Sequence, residues 1–224
     1  MRLRDSLALA IAIGFLALSG IARGAEQDLS VNARLLLAAR NGDAAGLERA
    51  LKGGAAANSR NRLGETALLI ALKKGDLAMA KVMLDAGTDV NLPAVNGVTP
   101  LMAAAFAGQA EMVATLLGKG ADLKALDRLQ KNAMTYAAGA GHTEIVKMLI
   151  AKGVDPNAIY QNDLTALMWA AGFGKSATVK ALLDAGARAD LKDNRGKTAL
   201  EMARDGKFDD TAKVLEAAPL RSPG

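Results

Sequence analysis

Short apolar blocks alternate with polar turns along this chain, and the alternation has a fixed period. Alanine-rich blocks at 103–105, 137–138 and 170–171 are each followed by a pair of leucine or isoleucine residues, at 116–117, 149–150 and 182–183. Equivalent positions recur at a constant interval of 33 residues. Small alanines let helices approach closely, while the larger side chains fill a second layer. The pattern predicts stacked helical units that cover one another's apolar faces around an aliphatic core.

Polar residues and glycines mark where each predicted helix begins and ends. A threonine before an apolar run caps a helix, because its hydroxyl accepts a hydrogen bond from an unpaired amide. A glycine after the run can take the left-handed conformation that ends a helix. The threonine register is Thr66, Thr99, Thr165 and Thr198, with Asn132 in the remaining place. The glycine registers are Gly42, Gly75, Gly108, Gly141 and Gly174, and Gly54, Gly87, Gly120, Gly153 and Gly186. Each unit therefore has two short helices, as at 66–74 and 77–86, and then a loop or hairpin, as at 87–97.

The registers predict an all-α repeat solenoid of stacked helix-turn-helix units with hairpin loops. Six units fit between Asp28 and about Ala218. Their expected bounds are 28–60, 61–93, 94–126, 127–159, 160–192 and 193–218, followed by a short tail over 219–224. The terminal units depart from the pattern, as end caps of a solenoid do.

The third unit carries the fullest motif. Thr99, Pro100 and Leu101 open it, Gly108 follows at the expected spacing, and residues 120–122 close it with Gly-Ala-Asp. These motifs resemble those of the ankyrin-repeat family, whose unit has the same length of about 33 residues. The resemblance implies that partners contact the hairpin tips and the outward ends of the first helices, along a concave groove.

The fourth unit departs from the family's pattern. Asn132 replaces its threonine, Ala133 its proline and Gln130 the glycine before the first helix. We expect local softness there within an unchanged fold.

Residues 1–24 have the order of a secretory signal peptide. Arg2 and Arg4 precede an apolar run over 7–18, and small residues follow, so that cleavage after Ala22 or after Gly24 satisfies the small-residue rule. The alternative is an uncleaved membrane anchor. The run is shorter than the roughly 20 apolar residues that span a bilayer, which favours cleavage.

Composition extends this prediction to a compartment. The chain has no cysteine, which excludes disulfides and a lipid-modified cysteine, and no Asn-x-Ser/Thr sequence. We therefore expect a periplasmic, or otherwise secreted, bacterial protein. Beyond the signal peptide, 25 Lys and Arg against 22 Asp and Glu leave a charge of +3. So small a charge favours solubility over nucleic-acid binding. We expect no nucleic-acid partner, no membrane association beyond the signal peptide, and a monomer.

The inventory of reactive residues argues against an enzyme. One histidine, His142, and no cysteine leave neither a Cys-His pair nor a usual zinc site. The resemblance gives that histidine a structural role at the start of a second helix. Glycines near Lys175 lack the spacing of a phosphate-binding loop. Asp209 and Asp210 are interpreted as solvated residues of the last unit. We expect no catalytic residue, metal or cofactor.

Binding residues are sought at the positions that the resemblance indicates. Across the repeats these positions are apolar in the middle and basic at both ends. Phe106 and Phe173 are the first candidates, since a few aromatic anchors carry much of an interface's binding energy. The predicted binding residues are Lys73, Lys74, Val95, Val98, Phe106, Arg128, Leu129, Lys131, Leu164 and Phe173. The alternative for the apolar members is packing over a neighbouring repeat as core. Tyr136 and Trp169, on the inner side of the first helices, are interpreted as core.

These observations favour a non-catalytic periplasmic adaptor that binds another exported protein through its concave face. One alternative is a ligand-binding or enzymatic protein that uses the groove as a cleft, for instance on cell-wall fragments. A second is an effector secreted into another cell. The sequence does not identify the partner.

Overall fold

Twelve α-helices in six consecutive pairs make up the part of the chain that this computed structural model describes, residues 29–218. The first helices of the pairs are α1 (Val31–Asn41), α3 (Ala67–Lys74), α5 (Pro100–Phe106), α7 (Ala133–Ala140), α9 (Ala166–Gly172) and α11 (Ala199–Asp205). The second helices are α2 (Ala44–Lys52), α4 (Leu77–Asp85), α6 (Ala110–Gly118), α8 (Thr143–Ala151), α10 (Ser176–Asp184) and α12 (Asp209–Glu216). One short 3-10 helix, Gln161–Asp163, precedes α9. Each expected repeat interval contains one pair; the signal peptide and the tail lie outside the described residues.

The cap residues confirm the helix starts and ends predicted from the registers. Thr66, Thr99, Asn132, Thr165 and Thr198 each accept a hydrogen bond from the backbone amide three residues later. All ten glycines of the two glycine registers have positive φ. The first repeat differs, because Ser30 caps α1 and the helix begins at Val31, ahead of the place that the threonine register would give it.

The fourth repeat keeps its cap despite the missing threonine. The Asn132 side chain accepts from the amide of Thr135, and the Thr135 hydroxyl accepts in turn from the amide of Asn132, both at 3.1 Å. Gln130 takes the left-handed conformation, with φ 55°, where other repeats have glycine. The start of α7 is therefore well bonded, and the expected softness stays a prediction.

Helices pack in two rows along the stack. The first helices contact one another in succession from α1 to α11, and α6, α8, α10 and α12 contact one another in the second row. Leu116, Leu149 and Leu182 are fully buried between the rows. Their neighbours Leu117, Ile150 and Leu183 are only partly buried and pack against the core's edge. The predicted aliphatic core is thus confirmed, with one residue of each pair at its centre.

Side chains from one repeat cover the glycine that ends the first helix of the repeat before it. A Cβ on Gly108 would lie 2.5 Å from the His142 ring, one on Gly141 2.8 Å from Lys175, and one on Gly174 2.5 Å from Phe208. These contacts lie at the helix ends, where successive repeats meet. Glycine is therefore required here both for its conformation and for the close approach of the next repeat.

Gly108→Ala is expected to lower the free energy of unfolding by about 2–3 kcal/mol, of which positive φ contributes roughly 1 kcal/mol. The remainder arises because the methyl group displaces the His142 ring. Gly75→Ala is the matched control, since Gly75 has a similar φ of 77° and no atom of residues 29–218 within 4 Å of its Cβ position. Urea denaturation of both variants measures the difference; equal losses would show that the contact with His142 has no energetic weight.

The hairpin tips are joined by single backbone hydrogen bonds. The amide of Val95 donates to Leu63 O at 2.8 Å, that of Arg128 to Asn96 O at 3.0 Å, and that of Asn194 to Asn162 O at 3.0 Å. Within the described residues, the corresponding bond from residue 161 to residue 129 is not formed. Residue 161 instead begins the 3-10 helix that forms the tip of repeat five. The hairpin ladder is therefore interrupted between repeats four and five.

Candidate functional site

Four of the chain's seven aromatic residues lie in one row across repeats three to five. We call Phe106, Tyr136, Trp169 and Phe173 the aromatic strip. Phe106, the last residue of α5, meets Tyr136 of α7 edge to face, with ring centroids 5.9 Å apart. Trp169 of α9 stacks on Phe173, which caps the end of α9, also at 5.9 Å. Such pairs are favourable arrangements of aromatic rings, so the strip is built by contacts between side chains.

Most of the ring surface at the two ends of the strip faces solvent. Phe106 is 61% exposed and Phe173 is 54% exposed, while Tyr136 and Trp169 are half-buried. Gly139 lies in α7 beside the second pair; a Cβ there would be 3.6 Å from the Phe173 ring and 3.7 Å from the Trp169 ring. A longer side chain at this position would displace both rings, so the glycine keeps the strip open.

Lys131 links the two halves of the strip. Its Nζ lies 5.6 Å from the centre of the Tyr136 ring and 4.8 Å from that of the Trp169 ring. An ammonium group over a ring face is attracted by the ring's electrons, which holds this lysine against the strip. Lys131 is half-buried and forms no ion pair with any residue from 29 to 218.

Asp127 ties the strip to the hairpin tip of repeat four. The Tyr136 hydroxyl donates to Asp127 Oδ2 at 2.7 Å. Asp127 Oδ1 accepts from the amides of Leu129 and Lys131, both at 2.8 Å. Burial, together with the hydrogen bond and the charge of Asp127, raises the pKa of Tyr136 well above its usual range. The phenol therefore stays protonated and keeps donating at any physiological pH.

The structure leaves four of the predicted apolar residues exposed and two partly buried. Val95, Phe106, Leu129 and Phe173 are exposed. Val98 and Leu164 were also expected on the binding surface; both are partly buried and pack against the core, which favours the alternative interpretation for them. The two residues directly precede the cap threonines of α5 and α9, where the chain turns from the hairpin into the helix.

The predicted basic residues fall into two groups. Arg128 is exposed and its side chain forms no ion pair within residues 29–218, which leaves it able to contact a partner. Lys73 pairs with Glu65 at 2.6 Å, so its charge is compensated, whereas Lys74 donates to the neutral carbonyl of Arg40 and keeps its charge. Burial raises the pKa of Glu65, but hydrogen bonds from Lys73 and Asn61 outweigh this and hold it below its usual value.

Sequence reasoning missed two exposed apolar residues near this surface, Leu126 and Ile159. Tyr136 and Trp169, interpreted as core, do pack against the core, and part of each ring also faces the strip. Leu63, at the tip of the second repeat, is 63% exposed; Leu126 and Ile159 are also exposed on the chain leading into hairpins four and five. Leu126 and Ile159 share one repeat position, and this was a signal that could have found them.

His142 has a structural place next to the strip. It caps α8, and its Nε2 lies 2.9 Å from Phe106 O, which makes Nε2 the donor. This bond fixes the backbone that carries the Phe106 ring. Among the described residues, no cluster of three or more His, Asp or Glu side chains could hold a metal ion.

A separate cleft lies between α10 and α12, the second helices of repeats five and six. Leu183 and Val214 line it together with charged residues of the loop after α10. The charges at its rim neutralise one another, since Lys180 pairs with Asp184 at 3.0 Å and Arg188 pairs with Asp190 at 2.6 Å. As far as the structure describes its lining, the cleft offers no convergent set of unpaired polar groups of the kind that orients a small ligand.

Residues 29–218 contain no helix with the length and apolar character needed to cross a bilayer. A comparison with curated proteins gives no match. The family model described as ankyrin repeats (3 copies) matches residues 35–127 and, a second time, residues 133–218. These two matches span well over half of the chain and include all six helix pairs except the first four residues of α1. The chain therefore belongs to the ankyrin-repeat family.

Proposed function

We propose that this protein is a non-catalytic binding module that acts in the periplasm and binds another exported protein. Ankyrin repeats are in general modules of protein–protein interaction. The observation that carries the proposal is the aromatic strip, whose Phe106 and Phe173 rings are more than half exposed. We place the binding surface at the hairpin tips and the ends of the first helices, which the family resemblance assigns to the concave face, with the strip at its centre.

Covering these exposed rings with a partner would stabilise the complex. Removing apolar surface from water releases roughly 25 cal/mol per Å², and large exposed apolar patches mark interaction sites. Leu129 and Arg128 extend the surface at the adjoining hairpin tip, where both side chains are exposed. An aromatic centre with a basic residue at its edge has the composition of an interface hot spot with a polar rim.

The periplasmic part of the proposal is supported by the sequence over positions 1–24. Intact-mass measurement on protein from an osmotic-shock fraction gives the N-terminus. The proposal requires a chain that begins at Arg23 or Ala25. A chain that keeps the segment 1–24, or that is found only with membranes or cytoplasm, contradicts this part and leaves protein binding to be tested in another compartment.

The binding part is tested by affinity capture from periplasmic extract with the mature chain and with a Phe106→Ala/Phe173→Ala variant. Loss of each aromatic anchor is expected to cost about 2 kcal/mol, so the double variant loses a specific partner almost completely. Leu29→Ala is the matched control, because Leu29 is an exposed apolar residue remote in sequence from the strip. Circular dichroism verifies that the variants fold. A partner captured equally by all three proteins would show that the strip is not the binding site.

A further inference from the structure

One position of the hairpin carries a charge in three repeats, and its pairing differs among them. The position is occupied by Glu65, Lys131 and Lys197, which stand at the same place in repeats two, four and six. Glu65 pairs with Lys73 at 2.6 Å, and Lys197 pairs with Asp205. In both cases the partner lies at the end of the first helix that follows the hairpin. The fold therefore supplies an internal counter-charge for this position in repeats two and six.

Repeat four has no such counter-charge among the described residues. The position that corresponds to Lys73 and Asp205 is Gly139, which has no side chain. The nearby carboxylate of Asp127 is already engaged by two backbone amides and by the Tyr136 hydroxyl. The ammonium group lies instead over the Tyr136 and Trp169 rings. Of the two lysines at this hairpin position, Lys131 is thus the one that keeps its charge available beside an exposed apolar surface.

We propose, resting on the function above, that the partner presents an acidic peptide segment in which an apolar side chain stands next to an aspartate or glutamate. The apolar side chain packs on the aromatic strip, and its neighbouring carboxylate pairs with Lys131. Because Lys131 is half-buried against the rings, this ion pair is shielded from water more than a surface pair is and is worth correspondingly more.

The same geometry argues against a basic partner. A partner lysine or arginine would seek the faces of the Tyr136 and Trp169 rings, which Lys131 already occupies, and the two cations would repel. Arg128 adds a second positive charge at the adjoining tip. Asp163, at the tip of repeat five, is the one exposed acid among the described hairpin tips of repeats three to five. The local charge near the strip is therefore complementary to a partner's carboxylates.

A random peptide library displayed on phage tests the proposed chemistry without knowledge of the partner. Peptides are selected on the wild-type chain and counter-selected on the Phe106→Ala/Phe173→Ala variant. We expect the enriched sequences to place Asp or Glu next to Phe, Leu, Ile, Met or Trp. Enriched peptides that depend on the strip but are neutral or basic would overturn the acidic partner while leaving the proposed function intact. A selection that yields no strip-dependent peptide would contradict the proposed function itself.

The role of Lys131 is measured with a synthetic copy of the most enriched peptide, prepared without tryptophan. Trp169 is the chain's single tryptophan, so its fluorescence reports binding at the strip. We expect Lys131→Gln to raise Kd about tenfold, equivalent to roughly 1.4 kcal/mol, and to reduce the dependence of Kd on salt. Lys131→Arg is expected to retain most of the affinity.

Lys197→Gln is the matched control, because Lys197 stands at the same repeat position but is paired with Asp205. This variant is expected to leave Kd unchanged. An equal rise of Kd in the Lys131 and Lys197 variants would mean that only the overall charge of the protein matters for binding. That result would overturn the proposed ion pair. An unchanged Kd in Lys131→Gln would overturn it as well.

Discussion

Leu116→Ala is expected to lower the free energy of unfolding by about 3 kcal/mol. Leu116 is fully buried in α6, between the two rows of helices. Truncation to alanine removes apolar contacts and leaves a cavity, which costs about 2–5 kcal/mol at buried leucines. The loss is expected near the middle of that range, because alanine-rich first helices leave few long side chains that could move into the cavity.

Leu117→Ala is the matched control for this prediction. Leu117 is the next residue of the same helix and is only partly buried at the core's edge. Its truncation is expected to cost about 1 kcal/mol, since less apolar surface returns to water. Urea denaturation, monitored by circular dichroism, gives the free energy of unfolding of both variants. Equal costs for the two variants would mean that the centre of the core does not lie at the first leucine of each pair.

Asp127→Ala is expected to lower the free energy of unfolding by about 2–4 kcal/mol and to weaken partner binding. The buried carboxylate accepts three hydrogen bonds, from the amides of Leu129 and Lys131 and from the Tyr136 hydroxyl. Removal leaves all three partly buried donors without their partner; an unpaired donor costs about 1–3 kcal/mol when fully buried, and less where water reaches it. Relaxation of the tip moves Lys131 away from the rings, which is why binding is expected to fall as well.

Asp155→Ala is the matched control for this prediction. It measures the cost of removing an aspartate from a turn in which the side chain is exposed. Asp155 also accepts a hydrogen bond from a backbone amide, that of Asn157 at 2.8 Å, but its side chain is exposed. Water replaces the lost acceptor there, so the expected cost is below about 1 kcal/mol. Thermal and urea unfolding of both variants, with Trp169 fluorescence as a second signal, make the comparison. A small loss for Asp127→Ala would show that the tip does not depend on this carboxylate.

The repeat fold could be predicted from the sequence because its determinants are local. A threonine hydroxyl caps the helix that starts next to it, and a glycine at positive φ ends the helix that precedes it. Both act within one turn of the chain, so their periodic registers translate directly into helix bounds. Asn132 and Gln130 show the tolerance of the rule, since each takes the backbone role of the residue it replaces.

The candidate surface was only partly predictable because it depends on neighbours distant in sequence. Phe106 and Phe173 were found from their repeat positions. Exposure of the Trp169 ring depends on Gly139, which belongs to the preceding repeat and which the position of Trp169 does not reveal. The repeat register likewise placed Val98 and Leu164 near the tip without showing that their side chains turn toward the core.

The pairing of charges was hidden for a similar reason. The sequence alone did not show that Lys73 forms an ion pair and that Lys131 does not form one within residues 29–218. The contact between Glu65 and Lys73 requires the hairpin to fold back along the first helix, because Glu65 lies before the helix begins and Lys73 lies near its end. Once that spacing is known, Lys197 and Asp205 follow from it, and Gly139 identifies the repeat in which the counter-charge is missing.

The interrupted hairpin ladder removes one hydrogen bond from the coupling between repeats four and five. Repeats four and five remain in contact through α7 and α9, but within the described residues their tips lack the backbone bond that joins the tips of repeats two to three, three to four, and five to six. In a linear array, stability is the sum of terms within repeats and terms between nearest neighbours. The aromatic strip spans this junction, with Tyr136 on one side and Trp169 on the other. A partner seated on the strip would therefore contact both repeats and add its binding free energy to the coupling across this junction.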